Sequence, residues 1–164
     1  MTVTAQDLTR LNRDVIGEIR EMHPLLTPKL TNATIKRVVK DYLTGGARKQ
    51  RIVQKYGDIS QWDVSNVTNI KLLFWNQSSF NQPLNGWNVS NVTDMKWMFE
   101  NASSFNQSLN NWNVSNVEDM WGMFLSATSF NQPLNKWNVS NVENMYGMFA
   151  DAASLDGKSQ NRND

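Results

Sequence analysis

The acidic residues Asp63, Asp94, Asp119 and Glu143 are spread along the chain at near-regular intervals. Such spacing raises the question of calcium, which takes oxygen ligands gathered from one loop. The D-x-D-x-D-G loop that gathers them is missing, and the carboxylates come one per repeat, so no metal site is expected. The chain has a single histidine, His23, and no cysteine. That excludes disulfides, thiolate nucleophiles, Cys-ligated zinc, iron–sulfur clusters and any site needing two imidazoles. Scattered Ser and Asp residues, with one His standing before Pro24, do not form a nucleophile–base–acid set. The expectation is a protein that is not an enzyme and uses no cofactor.

Recognition is the chemistry left, and two groups of residues are suited to it. Lys36, Arg37, Lys40, Arg48, Lys49, Arg51 and Lys55 cluster within 20 residues. They read either as a site for an anionic partner or as the solvated face of two helices. The aromatics among them are Tyr42 and Tyr56, both better placed for packing, so nucleic acid is an unlikely partner. The second group is aromatic and emerges from the repeat.

Trp62, Trp87, Trp112 and Trp137 are spaced 25 apart, as are Phe74, Phe99, Phe124 and Phe149, and Asn66, Asn91, Asn116 and Asn141. A fixed period of this length marks a stacked array. Units open at Ile59, Leu84, Leu109 and Leu134. Positions that stay constant from unit to unit read as packing, and positions that vary read as the outside. The varying columns are Lys71/Lys96/Trp121/Tyr146, Leu72/Trp97/Gly122/Gly147 and Trp75/Glu100/Leu125/Ala150. Trp75, Trp97, Trp121, Tyr146 and Leu125 are therefore candidates for protein binding, since aromatics dominate interface hot spots. The alternative is that each ring lies over the neighbouring unit.

Local structure is read from the same pattern. L-x-x-W-x-V points three side chains inward, as a short parallel strand would. Val92, Met95, Met98/Phe99 and Ala102 then recur every three to four residues, which predicts a short helix or helical turn. Ser115/Glu118 and Ser140/Glu143 fit a capping box for it. Equivalent Asn residues on successive units are expected to bond as ladders. The fold class expected is an α/β solenoid: four right-handed coils of parallel strand plus helical turn, with an α-helical N-terminal cap.

The units WNVSNVTDMKWMFENASSFNQ and WNVSNVEDMWGMFLSATSFNQ resemble BspA-type leucine-rich repeats, and more narrowly the 25–26-residue bacterial surface protein repeat. The resemblance covers roughly residues 57–156. It implies a right-handed solenoid used for protein binding or surface display, found on bacterial surfaces, in algae and in large DNA viruses. It implies no catalytic residues.

Residues 1–57 hold 11 Lys/Arg against 5 Asp/Glu, and residues 58–164 hold 5 against 10. The expected organisation is a helical region over 1–57, repeats over 58–156 and a polar tail over 157–164. Leu8, Leu11, Val15, Ile19 and Met22 make one amphipathic stripe; LNRDVIGEI within it faintly resembles the opening of an F-box. Ile35, Val38, Val39, Tyr42 and Leu43 make a second helix, with Asn32 or Thr31 as cap and Gly45-Gly46 as its end. A third, short helix runs from about Ala47 to Tyr56. No apolar run reaches the ~18 residues of a membrane span, and no signal-peptide core is visible, so an intracellular setting is expected. The function expected is protein–protein interaction or assembly. The alternatives are a structural component of a virion, an F-box-like adaptor or a surface adhesion protein. An uncapped C-terminal end is expected to meet a protein partner or a second copy.

Overall fold

The computed structural model describes residues 27–152. The amphipathic stripe over 8–22, the F-box-like segment and the polar tail lie outside them. Helix α1 spans Ile35–Thr44 and helix α2 spans Gly46–Tyr56. Gly45 between them sits at φ 78°, a conformation that glycine adopts without steric cost. A 3₁₀ turn, Ile59–Gln61, leads into the first unit, its N–H at Ser60 capped by the Asp58 carboxylate.

The expected solenoid of strand-plus-helix coils is not what the chain forms. Among the described residues there is no β-strand, and residues 62–152 hold no helix. The units are built of turns, and the only β-pairing between them among the described residues is by isolated parallel bridges: Asn69 to Asp94, Asp94 to Asp119, and Asp119 to Asn144. An accounting of backbone donors in the first unit gives the reason. The N–H groups of Ile70, Leu72, Phe74 and Asn76 donate to the carbonyls of Asp94, Lys96, Met98 and Glu100 in the next unit. Those of Leu73, Trp75 and Gln77 close local turns on Ile70, Leu72 and Phe74, and that of Lys71 is taken by Asn69 Oδ1. No donor remains for an i→i−4 helical ladder. The path places two left-handed residues four apart in each unit, Leu72 and Asn76, Trp97 and Asn101, Gly122 and Ser126, and Gly147 and Asp151. That interrupts both strand and helix.

The capping boxes fail for the same reason. Ser115 and Ser140 instead close Asx turns, in which the carboxamides of Asn113 and Asn138 accept from their N–H groups. Asp94 and Asp119 make the same turn with Lys96 and Trp121. The Asn ladders also differ from expectation. Asn91, Asn116 and Asn141 donate to the main-chain carbonyls of Ser65, Ser90 and Ser115, not to each other. In the second column Asn81 Oδ1 accepts from the N–H of Asn106 and the side chain of Gln107.

The units lie one on another in register. Phe74, Phe99, Phe124 and Phe149 form a file with ring centroids 5.5 Å apart, and Trp62 and Trp87 stack at 6.2 Å. Each buried indole finds an acceptor, as a buried Trp requires: Trp87 Nε1 donates to Ile59 O at 2.7 Å and Trp112 Nε1 to Leu84 O at 2.9 Å. Met95, Met98, Met120 and Met123 are fully buried in the same core.

The front of the stack is closed by α1, α2 and the segment before them. Tyr42 packs edge-on against Trp62 at 5.3 Å, and Tyr56 at 6.4 Å. Burial, and then the nearby Asp58 carboxylate, raise the Tyr42 hydroxyl above the ordinary tyrosine value. Asn32 caps no helix. Its Oδ1 accepts from the N–H groups of Thr68 and Asn69, at 2.9 and 3.2 Å.

Candidate functional site

Alpha-helical spacing puts Lys36 and Lys40 in one row of α1, and Val39 and Leu43 in the row beside it. Opposite them runs the turn segment of the first unit. Together Lys36, Val39, Lys40, Leu43, Thr44, Lys71, Leu72, Leu73, Trp75 and Gln77 line a groove of about 470 Å³. Leu73 and Val39 are buried, whereas Leu72 and Trp75 are 38% and 46% exposed. Leu72 also holds φ 62°, unfavourable for a bulky side chain. Strain and exposure thus coincide at one apolar residue of the groove.

The electrostatics of the groove are one-sided. None of the described residues that line it is acidic. Lys36 and Lys40 are exposed and make no ion pair among the described residues, where the pairs are Lys29–Asp63 and Lys96–Asp119. The Lys71 ammonium lies 4.9 Å from the Trp97 ring centroid.

The aromatic candidates do not form one surface. Trp97 and Trp121 are half-buried, with centroids 4.9 Å apart, and Tyr146 meets Trp121 edge-on at 6.4 Å. The Trp97 ring covers Gly122, where an added Cβ would stand 2.6 Å from Trp97 Cδ1. The Lys96 ammonium lies over both indoles and pairs with Asp119 at 2.6 Å; that hydrogen bond is the main reason its pKa is raised. Leu125 is half-buried beside Gly122. Trp75 stands apart from this stripe, in the groove, and Tyr146 is 79% exposed.

The basic candidates divide likewise. Lys36 and Lys40 enter the groove, whereas Arg37 is exposed on α1 outside its lining. Arg48, Lys49, Arg51 and Lys55 are exposed on α2; Lys49 lies over the Tyr42 ring and Lys55 over the Tyr56 ring. Sequence reasoning missed Leu72, Lys71, Val39 and Leu43 as site residues. The available signal was Leu72 in a column that holds glycine in the last two units.

Asp94 and Asp119 are engaged in Asx turns and unit-to-unit contacts, and Asn69 Nδ2 donates to Asp94 Oδ2. Among the described residues no group of three or more His, Cys, Asp or Glu is arranged to hold a metal. No helix among them is long and apolar enough to cross a membrane.

A family model described as Mycoplasma protein of unknown function, DUF285, matches residues 47–162. The chain belongs to this family. The resemblance to BspA-type leucine-rich repeats is corrected accordingly: the family that matches is DUF285, and the units lack the strands such repeats are built on. The virion setting drawn from that resemblance has no support in the DUF285 match. No curated protein and no solved structure matches the chain. The DUF285 span begins inside α2, so Lys71, Leu72, Leu73 and Trp75 fall within it, while Lys36, Val39, Lys40 and Leu43 precede it.

Proposed function

We propose that this DUF285 protein is a non-catalytic protein-binding module, and that it holds its partner in the groove between α1 and the first unit. The observation supporting this is the joint exposure of Leu72 and Trp75 in a groove lined also by Lys36 and Lys40, which make no ion pair among the described residues. Buried anchors in pockets carry most of the affinity of protein interfaces, and Trp is the commonest of them. An affinity pull-down from the native source tests the reading. W75A with L72N should lose the partner, while W97A with W121A, which removes the packed stripe, should retain it at any temperature where the protein stays folded. Equal recovery with all variants would remove the groove from consideration.

The fourth unit favours a second contact, to a protein partner or a second copy. Leu134, Trp137, Val139, Val142, Met145 and Phe149 are only partly buried, whereas their counterparts one unit earlier are buried. Sedimentation over a hundredfold concentration range would show self-association; a constant monomer mass would leave an external partner as the occupant.

A further inference from the structure

The groove restricts the chemistry of its occupant, and this inference rests on the groove being the binding site. We infer that it takes an acidic amphipathic segment of another protein, docked with an apolar face on Leu43, Leu72 and Trp75 and with carboxylates on Lys36, Lys40 and Lys71. Three features of the molecule lead there.

The first is charge. Three lysines line the groove, Lys71 with its ammonium over the neighbouring Trp97 ring, and no carboxylate does among the described residues. An occupant that is neutral or basic leaves those charges uncompensated as water is displaced. An acidic one gains charge-assisted hydrogen bonds.

The second is periodicity. Lys36 and Lys40 are exposed one helical turn apart on α1, about 5.4 Å, and the half-buried Leu43 stands in the adjacent row, above the buried Val39. A helix with acids at i and i+4, and apolar residues in the adjacent row, presents the complementary spacing.

The third is shape. Leu72 and Trp75 are exposed on the walls of a concavity, not at a protruding tip. A bilayer surface is met by convex apolar groups, whereas a groove admits a chain. A nucleic-acid strand would find cations there, but the floor is aliphatic and offers a single indole where successive bases need successive aromatic platforms.

Titration of the full-length protein with fluorescent peptides decides the matter. Three peptides of about five helical turns share one design: Leu rows with Glu on the polar face, the same Leu rows with Lys, and the Glu peptide with every Leu replaced by Ser. Only the Glu/Leu peptide should bind. W75A should weaken it about 30-fold, the scale of a Trp hot spot. K36E with K40E should weaken it about tenfold and confer measurable affinity for the Lys/Leu peptide. Both lysines are exposed, so the double variant should melt with the wild type, which circular dichroism would verify. If W75A abolishes binding of Glu and Lys peptides alike, the acidic preference is overturned while the groove survives as the site. If the Glu/Leu peptide binds but neither W75A nor K36E with K40E alters its affinity, inference and proposed function fall together. Failure of every peptide to bind overturns the inference. So does tighter binding to phosphatidylserine-containing vesicles or to a single-stranded oligonucleotide.

Discussion

The front of the stack and its interior solve the same backbone problem by different means. Inside, the second and third units each offer a main-chain carbonyl to two successive N–H groups of the next. Thr93 O accepts from Glu118 and Asp119 at 2.8 and 3.3 Å, and Glu118 O accepts from Glu143 and Asn144 at the same two distances. In front of the first unit no earlier unit supplies that carbonyl. Asn32 supplies it from a side chain, at 2.9 and 3.2 Å. Trp62 likewise donates its indole N–H to Gly57 O, where Trp87 uses Ile59 O. The left-handed corner shows the reverse contrast. Its dihedral is shared by Leu72, Trp97, Gly122 and Gly147, yet Leu72 is exposed beside α1, and Gly122 is buried beneath Trp97. Stacking imposes the path, and each unit's neighbours decide which side chain the path can carry.

The sharpest way to break that comparison is at the corner. G122A places a Cβ against the Trp97 ring and in a left-handed conformation, and should cost about 3 kcal/mol. G147A meets nothing closer than Ala150 Cβ at 4.0 Å and should cost about 1 kcal/mol, the backbone part alone. Urea midpoints that come out equal would mean the Trp97 contact contributes nothing. Next in size is W87F, which leaves Ile59 O with only the longer 3.5 Å bond from the Trp62 N–H and shrinks a packed ring; denaturation should show a loss of about 2 kcal/mol. N32A should cost about 1 kcal/mol, because the site is exposed and water replaces part of what is lost. N32D keeps an acceptor oxygen and should recover most of the loss; an N32D as weak as N32A would show that the carbonyl-like acceptor is not what closes the front.

Smaller still is L72N, which relieves the left-handed leucine and should raise stability by about 0.5 kcal/mol while weakening partner binding. A rise in both would detach the strain from the groove. The last concerns Asp63 at the same front edge. Burial pushes its carboxyl up, but the Ser65 hydroxyl and N–H and the Lys29 ammonium outweigh it and hold the pKa below the ordinary value. A lowered folded-state pKa stabilises above the unfolded value and loses that contribution as pH falls through the folded one. Urea midpoints between pH 5 and pH 3 should therefore drop less steeply in D63N than in wild type.

Much of this was legible in the chain itself. The 25-residue files of Trp and Phe, the Ile35–Leu43 stripe and the Gly45-Gly46 stop all correspond to observed packing and breaks. The helix expected across Val92–Ala102 was not, because apolar spacing of three to four also describes a train of turns whose alternate N–H groups leave the unit. The parallel strand failed similarly: Leu84, Trp87 and Val89 do point inward, but turns flank them and no continuous ladder forms. Lys36, Lys40 and Trp75 were each visible as candidates, but they belonged to separate arguments. Nothing in their spacing said that α1 would lie beside residues 71–77.

The sequence by itself determined which residues are interior, since burial follows from side-chain chemistry repeated at a constant interval. It also determined that chemistry needing paired imidazoles or thiols is absent, because those atoms are not in the chain. Only the tertiary structure decided the backbone path, because hydrogen bonds between units compete with those inside a unit and apolar periodicity does not distinguish the two. It alone decided the groove, too, which exists because α1 is held against the first unit through contacts more than 30 residues apart in the chain, Asn32 with Thr68 among them.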